Sequence, residues 1–206
     1  MAAPIICLVT AGLATRRPVL DLIVEAAHAG VDVIQIRERQ LDDRSLIDLA
    51  RRALDATRGT AARIILNDRF DLALAARAFG VHLRGDSPAA GRIRPVAPSG
   101  FLIGRSVHDV TEASAIEAAG GCDYLMFGTI FPSASKLPGH ATAGAEALRH
   151  LCASVRIPVI AIGGISIENV AEIRSAGASG IAAISLFDGG APIASTVARL
   201  RRGFDT

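Results

Sequence analysis

Residues 143–184 read AGAEALRHLCASVRIPVIAIGGISIENVAEIRSAGASGIAAI, and the alternation inside this stretch decides the fold. Residues 143–154 carry apolar side chains at helical spacing, and residues 159–162 form a short β-branched run. The turn Gly163-Gly164 follows, and Ser166 offers a start signal for a second helical segment over 167–176. Gly177 is placed to stop that segment, and a second short apolar run occupies 180–184.

Worked outward, the same unit recurs along the whole chain. Short runs lie at 5–9, 31–36, 63–66, 80–83, 102–104, 124–128, 159–162 and 180–184, which makes eight. Helical spacing fills the intervals, as at 42–56, 68–78 and 109–119. Asp42 or Asp43 and Asp109 are further start signals, and Gly80 and Gly120 further stops. The Pro/Ala/Gly-rich stretch 87–100 takes a helix slot and predicts a short or irregular helix. Strict alternation implies a parallel sheet with right-handed crossovers. Eight repeats in 206 residues predict a closed (β/α)₈ TIM barrel in a single compact domain. An open doubly wound sheet would need a dinucleotide fingerprint, and Gly163-Gly164 is not GxGxxG.

Half of the residues are hydrophobic and 4% are aromatic, so the core must be built from Val, Ile, Leu and Ala. A formal net charge of +2 gives no argument for nucleic acid or an anionic membrane surface as partner. Cys7, Cys122 and Cys152 are widely spaced and fall in no CxxC pattern. They read as small buried hydrophobes in a reducing compartment, with neither a disulfide framework nor a zinc site. No apolar run approaches the ~20 residues that span a bilayer, so the expected location is cytoplasmic. Whether copies assemble into a homo-oligomer is left open.

In a closed barrel the ligand-binding groups lie just beyond the C-terminal ends of the strands. Those positions are Gln35, Arg37 and Arg39, Asn67-Asp68, His82, Ser106 and His108, the loop 129–140, Gly163-Gly164 and Ile184-Ser185. They are far more polar than the runs before them. Gln35 and Arg37 alternate with Ile34 and Ile36, so both point to the barrel mouth. A guanidinium there needs an anion, either a ligand's carboxylate or phosphate or an internal acid such as Glu38. Ser133, Ser135 and Lys136, the one lysine among 22 basic residues, are donors suited to phosphate oxygens. The loops after the seventh and eighth strands form a phosphate site in many barrels, which gives Gly163, Gly164, Ile184 and Ser185 the same expected role. His108 is placed to move protons near neutral pH, and His82 either lines the mouth or is a core histidine.

These residues, in this order, resemble the thiamine phosphate synthase/TenI superfamily. The resemblance rests on Gln35-Ile36-Arg37-Glu38-Arg39, Leu66-Asn67-Asp68-Arg69, Gly80-Val81-His82-Leu83, Ile103-Gly104-Arg105-Ser106-Val107-His108, the stretch 127–136 and the stretch 160–165. It implies a (β/α)₈ barrel acting on thiazole phosphates. In the synthase branch, hydroxymethylpyrimidine pyrophosphate is joined to thiazole phosphate with magnesium on the pyrophosphate. The resemblance then assigns Gln35, Arg37, Arg39 and Asn67 to the pyrophosphate and Asp68 with a second acid to the metal. It assigns Ser133, Ser135, Lys136, Gly164, Ile184 and Ser185 to the thiazole phosphate.

Three positions depart from the synthase pattern: Arg39 replaces a lysine, Thr129 replaces a proline, and Arg84-Gly85-Asp86-Ser87 replaces a segment with two acids. Asp86 is the one acid left there, and Ser87 falls on the metal position. These departures, with Ile-Arg-Glu-Arg and Ile-Gly-Arg-Ser-Val-His, bring the chain closer to the TenI branch, which includes thiazole tautomerases. The expected function is accordingly isomerisation of a thiazole carboxylate phosphate with no cofactor, His108 moving the proton and Arg37 and Arg39 holding the carboxylate. The alternatives are thiamine phosphate synthase, with Mg²⁺ on Asp68 and Asp86, and a non-catalytic protein that binds thiazole or thiamine phosphates.

Overall fold

The computed structural model describes residues 4–12, 17–133, 141–188 and 190–205. Eight parallel strands close on themselves in sequence order: β1 (Ile5–Val9), β2 (Val33–Ile36), β3 (Arg63–Asn67), β4 (Gly80–Leu83), β5 (Leu102–Val107), β6 (Tyr124–Phe127), β7 (Val159–Ile162) and β8 (Gly180–Ala183). The helices are α1 (Val19–His28), α2 (Asp43–Ala56), α3 (Phe70–Ala76), α4 (Ala90–Ile93), α5 (Val110–Ala119), α6 (Gly144–Ser154), α7 (Val170–Ser175) and α8 (Ile193–Asp205). The expected (β/α)₈ barrel is thus the observed architecture.

Local chemistry explains most element ends. The Asp42 carboxylate accepts the Ser45 N–H at 2.7 Å and starts α2, and Asp109 does the same for Glu112 at the head of α5. Gly120 ends α5 and Gly177 follows α7 with φ +95°. Two expectations are corrected. Gly80 is no helix stop: α3 ends at Ala76 with Arg77 in the left-handed conformation, and Gly80 opens β4. Ser166 does not start α7: the helix begins at Val170 with Asn169 at its cap position, and the Ser166 N–H donates to Asn169 Oδ1 at 2.9 Å across the turn before it. The stretch 87–100 yields only the four-residue α4 and a 3-10 turn, Arg94–Val96, as its composition predicts.

The apolar residues divide into two cores. The larger lies between strands and helices, and a smaller one fills the barrel with Cys7, Val9, Val33, Ile65, Tyr124, Met126, Ile160 and Ala182. The Tyr124 ring fits because β5 carries glycine beside it; a Cβ on Gly104 would stand 2.0 Å from Tyr124 Cζ. Burial drives the Tyr124 hydroxyl well above its ordinary pKa, so it stays protonated. Above this apolar plug the inward positions turn polar: Gln35 on β2, Asn67 on β3, His82 on β4 and Ser106 on β5. That change of chemistry along the barrel axis makes the floor of the mouth.

Candidate active site

A cavity of about 250 Å³ opens over that floor at the C-terminal ends of the strands. Its walls bring together Gln35, Arg37, Arg39, Asn67, His82, Ser106, His108, Ser133, Gly163, Gly164, Ile184 and Ser185, all expected from sequence, together with Arg84 and Thr129. Ser135 and Lys136 lie outside the described residues. Asp68 and Asp86 sit on the loops after β3 and β4, beside the cavity.

The floor is a neutral hydrogen-bonded array. Gln35 Nε2 donates to Asn67 Oδ1 at 2.9 Å, while Gln35 Oε1 is buried with no partner among the described residues. His82 lies between Tyr124 Oη, 3.1 Å from Nδ1, and Ser106 Oγ, 2.9 Å from Nε2. Burial depresses the His82 pKa to about 3, so the ring is neutral at physiological pH and can donate from only one nitrogen. Of the two sequence readings of His82, both hold: it is a bonded core histidine, and its Ser106 side faces the cavity. Strand β5 runs to Val107, longer than expected, so Ser106 is a strand residue and His108 the first residue past the strand.

The rim over β2–β4 is cationic. Arg37 is half-buried; its N–H donates to Thr10 Oγ1 at 2.9 Å and its Nε reaches Thr10 O at 3.5 Å. Glu38, the internal partner that sequence allowed, turns away to accept from Gly12 N at 3.1 Å and Gln40 Nε2 at 2.8 Å. Among the described residues neither Arg37 nor Arg39 pairs with a carboxylate. Burial and the neighbouring Arg39 charge hold the Arg37 guanidinium below its ordinary pKa, with Glu38 opposing. Two adjacent guanidiniums that lack an acid and face a cavity are chemically an anion site.

The loop after β4 completes this side. Ser87 Oγ donates to Asp68 Oδ1 and accepts the Arg84 N–H at 2.8 Å. Arg84 reaches Asp86 at 2.7 Å and Asp68 at 3.5 Å. Beneath it Arg105, 8% exposed, donates to the carbonyls of Gly85, Ser87 and Pro88 at 2.6, 3.0 and 2.9 Å. Arg105 stands in the motif Ile103–His108 without an expected role, because the expected strand ended at residue 104 and β5 continues through Arg105 to Val107. His108 is largely exposed at the rim, its ring Nδ1 3.2 Å from Glu112.

The opposite side, over β6–β8, is built of backbone. Gly163 and Gly164 adopt φ +97° and +66°, and a Cβ on Gly164 would meet the carbonyl oxygens of Phe131 and Pro132 at 2.5 Å. Glycine is therefore required where the two loops touch. The N–H groups of Gly164 and Ser185 donate to no group among the described residues. Donors of this kind suit phosphate oxygens.

A magnesium ion needs one or two carboxylates, further hard oxygens and substrate phosphates. The carboxylate of Asp68 and the hydroxyl of Ser87, brought into contact from two loops, fit such a minimal donor set. Asp86 is 70% exposed and turned onto Arg84, and it adds no ligand to that pair in this arrangement. No group of three His, Cys, Asp or Glu residues suited to a metal occurs among the described residues. No described helix is long and apolar enough to cross a membrane.

The comparisons with known proteins correct the expected function. The family described as thiamine monophosphate synthase matches residues 6–187. A protein of Moorella thermoacetica named thiamine-phosphate synthase is 38% identical over 94% of this chain and 91% of its own length. A second, from Methanoculleus marisnigri and of the same name, is 41% identical over 88% of this chain and 85% of its own. Among solved structures, thiamine phosphate pyrophosphorylase from Pyrococcus furiosus superposes with a TM-score of 0.85 at 31% identity, covering 98% of this chain and 95% of that one. Relatives this similar over nearly full length carry the synthase name, which overturns the isomerase reading and with it proton transfer by His108 as the central step. The departures at Arg39 and Ser87 count against the synthase as a poorer, one-acid metal site, and relatives at 38–41% identity outweigh them. The cavity, its cationic rim and these matches lead to one statement of kinship: the chain belongs to the thiamine monophosphate synthase family.

Proposed function

We propose that the chain is a thiamine-phosphate synthase, a transferase that joins hydroxymethylpyrimidine diphosphate to thiazole phosphate and releases diphosphate. The observation that carries the reading is the pair Arg37 and Arg39, which line the cavity without a carboxylate partner among the described residues. A thiazole carboxylate would need one guanidinium; a diphosphate leaving group needs more than one.

In this reading each side of the mouth has one task. Arg37 and Arg39 bind the diphosphate and take up the charge that grows on its bridging oxygen as the bond to the pyrimidine methylene breaks. The neutral floor suits an uncharged heteroaromatic ring. Gln35 Oε1 accepts an N–H from it, and Ser106, positioned by the neutral His82, offers a second polar contact. Gly164 and Ser185 hold the thiazole phosphate by backbone N–H, with Ser133 on the wall of the same cavity. The thiazole ring nitrogen then faces the methylene carbon and bonds to it as diphosphate departs, so positioning supplies much of the acceleration. Magnesium, held by Asp68 with Ser87, would neutralise the diphosphate when bound.

The test is formation of thiamine phosphate from the two half-substrates with Mg²⁺, in the wild type and in Arg37→Ala. The wild type is expected to turn over, and the variant to lose at least about a hundredfold in kcat/KM, mostly through the diphosphate substrate. Ligand-induced stabilisation with no product from the wild type would instead favour a binding protein.

A further inference from the structure

We propose that Arg84 is a third guanidinium for the diphosphate, held by Asp68 and Asp86 until the diphosphate arrives, so that it exchanges with the divalent cation for Asp68. The inference rests on the synthase reading above and concerns a residue to which that reading gives no task.

Four observations carry it. Arg84 lines the same cavity as Arg37 and Arg39. Its backbone is fixed: the N–H donates to Ser87 Oγ, Ser87 N lies 3.3 Å from Arg84 O, and Arg105 grips the loop from below. Its side chain is not fixed in the same way: its close partner, Asp86 at 2.7 Å, is 70% exposed, and the half-buried Asp68 stands farther off at 3.5 Å. Exposed ion pairs of this kind are weak, so they are readily given up for a multiply charged anion that takes a guanidinium by two oxygens. Lastly, the contact with Asp68 and the magnesium role of Asp68 exclude each other, since a guanidinium and a cation would compete for one carboxylate.

The consequence is a coupling. Before diphosphate binds, Arg84 screens Asp68 and the cation finds a poor site. Once diphosphate draws Arg84 across, Asp68 is released to the metal, which then also takes phosphate oxygens. Metal loading thus follows the diphosphate, a reciprocal linkage between two ligands through one mobile side chain.

Two binding measurements on the intact protein test this: inorganic diphosphate without metal by calorimetry, and Mn²⁺ alone, as a magnesium stand-in, by loss of its free paramagnetic signal. Arg84→Ala is expected to weaken diphosphate roughly tenfold and to tighten Mn²⁺ several-fold. Loss of fold would weaken both, so the opposite signs identify the exchange. Arg69→Ala separates it from a general field effect: Arg69 adjoins Asp68 in sequence but is bonded to Asp43 and Asp71, and it does not line the cavity. It should move both affinities less than about twofold. Equal shifts in the Arg69 and Arg84 variants, or none in Arg84→Ala while Arg37→Ala abolishes diphosphate binding, would overturn the exchange and leave the synthase reading standing. Absence of diphosphate binding by the wild type would overturn both.

Discussion

Replacing Arg105 by methionine tests how the cationic side of the mouth, over β2–β4, keeps its shape. The guanidinium spans three carbonyls of one loop, Gly85, Ser87 and Pro88, from a position that is 8% exposed. A hydrogen bond to a charged group contributes about 1.5–3 kcal/mol, so three at face value would claim a large part of a domain's ~5–15 kcal/mol. Two effects reduce the figure. Gly85 and Pro88 are exposed, and water can take over their carbonyls. Methionine also removes a buried charge whose Nε has no partner among the described residues. A net loss of about 2–3 kcal/mol is expected, read as a lower urea midpoint at constant slope. The damage is confined to the loop that carries Arg84 and Ser87, so KM for the pyrimidine diphosphate should rise roughly tenfold. KM for thiazole phosphate, which the proposed function places across the mouth, should change less than about twofold. Arg105→Lys keeps the charge but not the fork and should fall between. Stability within about 0.5 kcal/mol of wild type together with an unchanged KM for the diphosphate would refute the anchoring role.

Three other outcomes follow from the geometry. Gly164→Ala forces a Cβ within 2.5 Å of two carbonyl oxygens at φ +66° and should destabilise by about 1–3 kcal/mol, with KM for thiazole phosphate rising first. His82, fully buried with its pKa depressed to about 3, remains neutral in the fold while the unfolded chain takes up a proton below pH 6.5. Its contribution is therefore complete above that value and declines as pH falls, by about 2 kcal/mol between pH 7 and 5, and His82→Gln should flatten that part of a urea stability-versus-pH curve. Gln35→Glu would put a buried carboxyl on the neutral floor, and kcat/KM for the pyrimidine diphosphate should drop more than tenfold with the loss largest at high pH, as a steady-state pH profile would record.

Much of the fold was readable because parallel barrel strands are buried on both faces and stand out as β-branched runs between helical segments. Strand β7 matches its expected bounds, and β2 differs only by a late start at Val33, since Val31 and Asp32 precede the ladder. Gly80 was misread because a glycine after a helix and one opening a strand look alike in sequence; what separates them is the strand opposite. The site was readable where residue type and strand end coincide, as at Arg37, Asn67 and Ser106. It was not readable where the role depends on a partner far along the chain: Arg105 serves residues 17 to 20 positions earlier, and Glu38 turns to Gly12 in place of Arg37. The choice between isomerase and synthase failed because it was weighed on a few loop residues. The count of acids after β4 is one local property, while the 38–41% identity that overturned the isomerase is spread over nearly the whole chain.

The most direct test of the account is the stoichiometry of the purified protein's reaction with hydroxymethylpyrimidine diphosphate, thiazole phosphate and Mg²⁺. One diphosphate released per thiamine phosphate formed, with almost none released when thiazole phosphate is withheld, is the predicted result. Conversion of a thiazole carboxylate phosphate to its aromatic tautomer by the same preparation, with no thiamine phosphate formed, would contradict it.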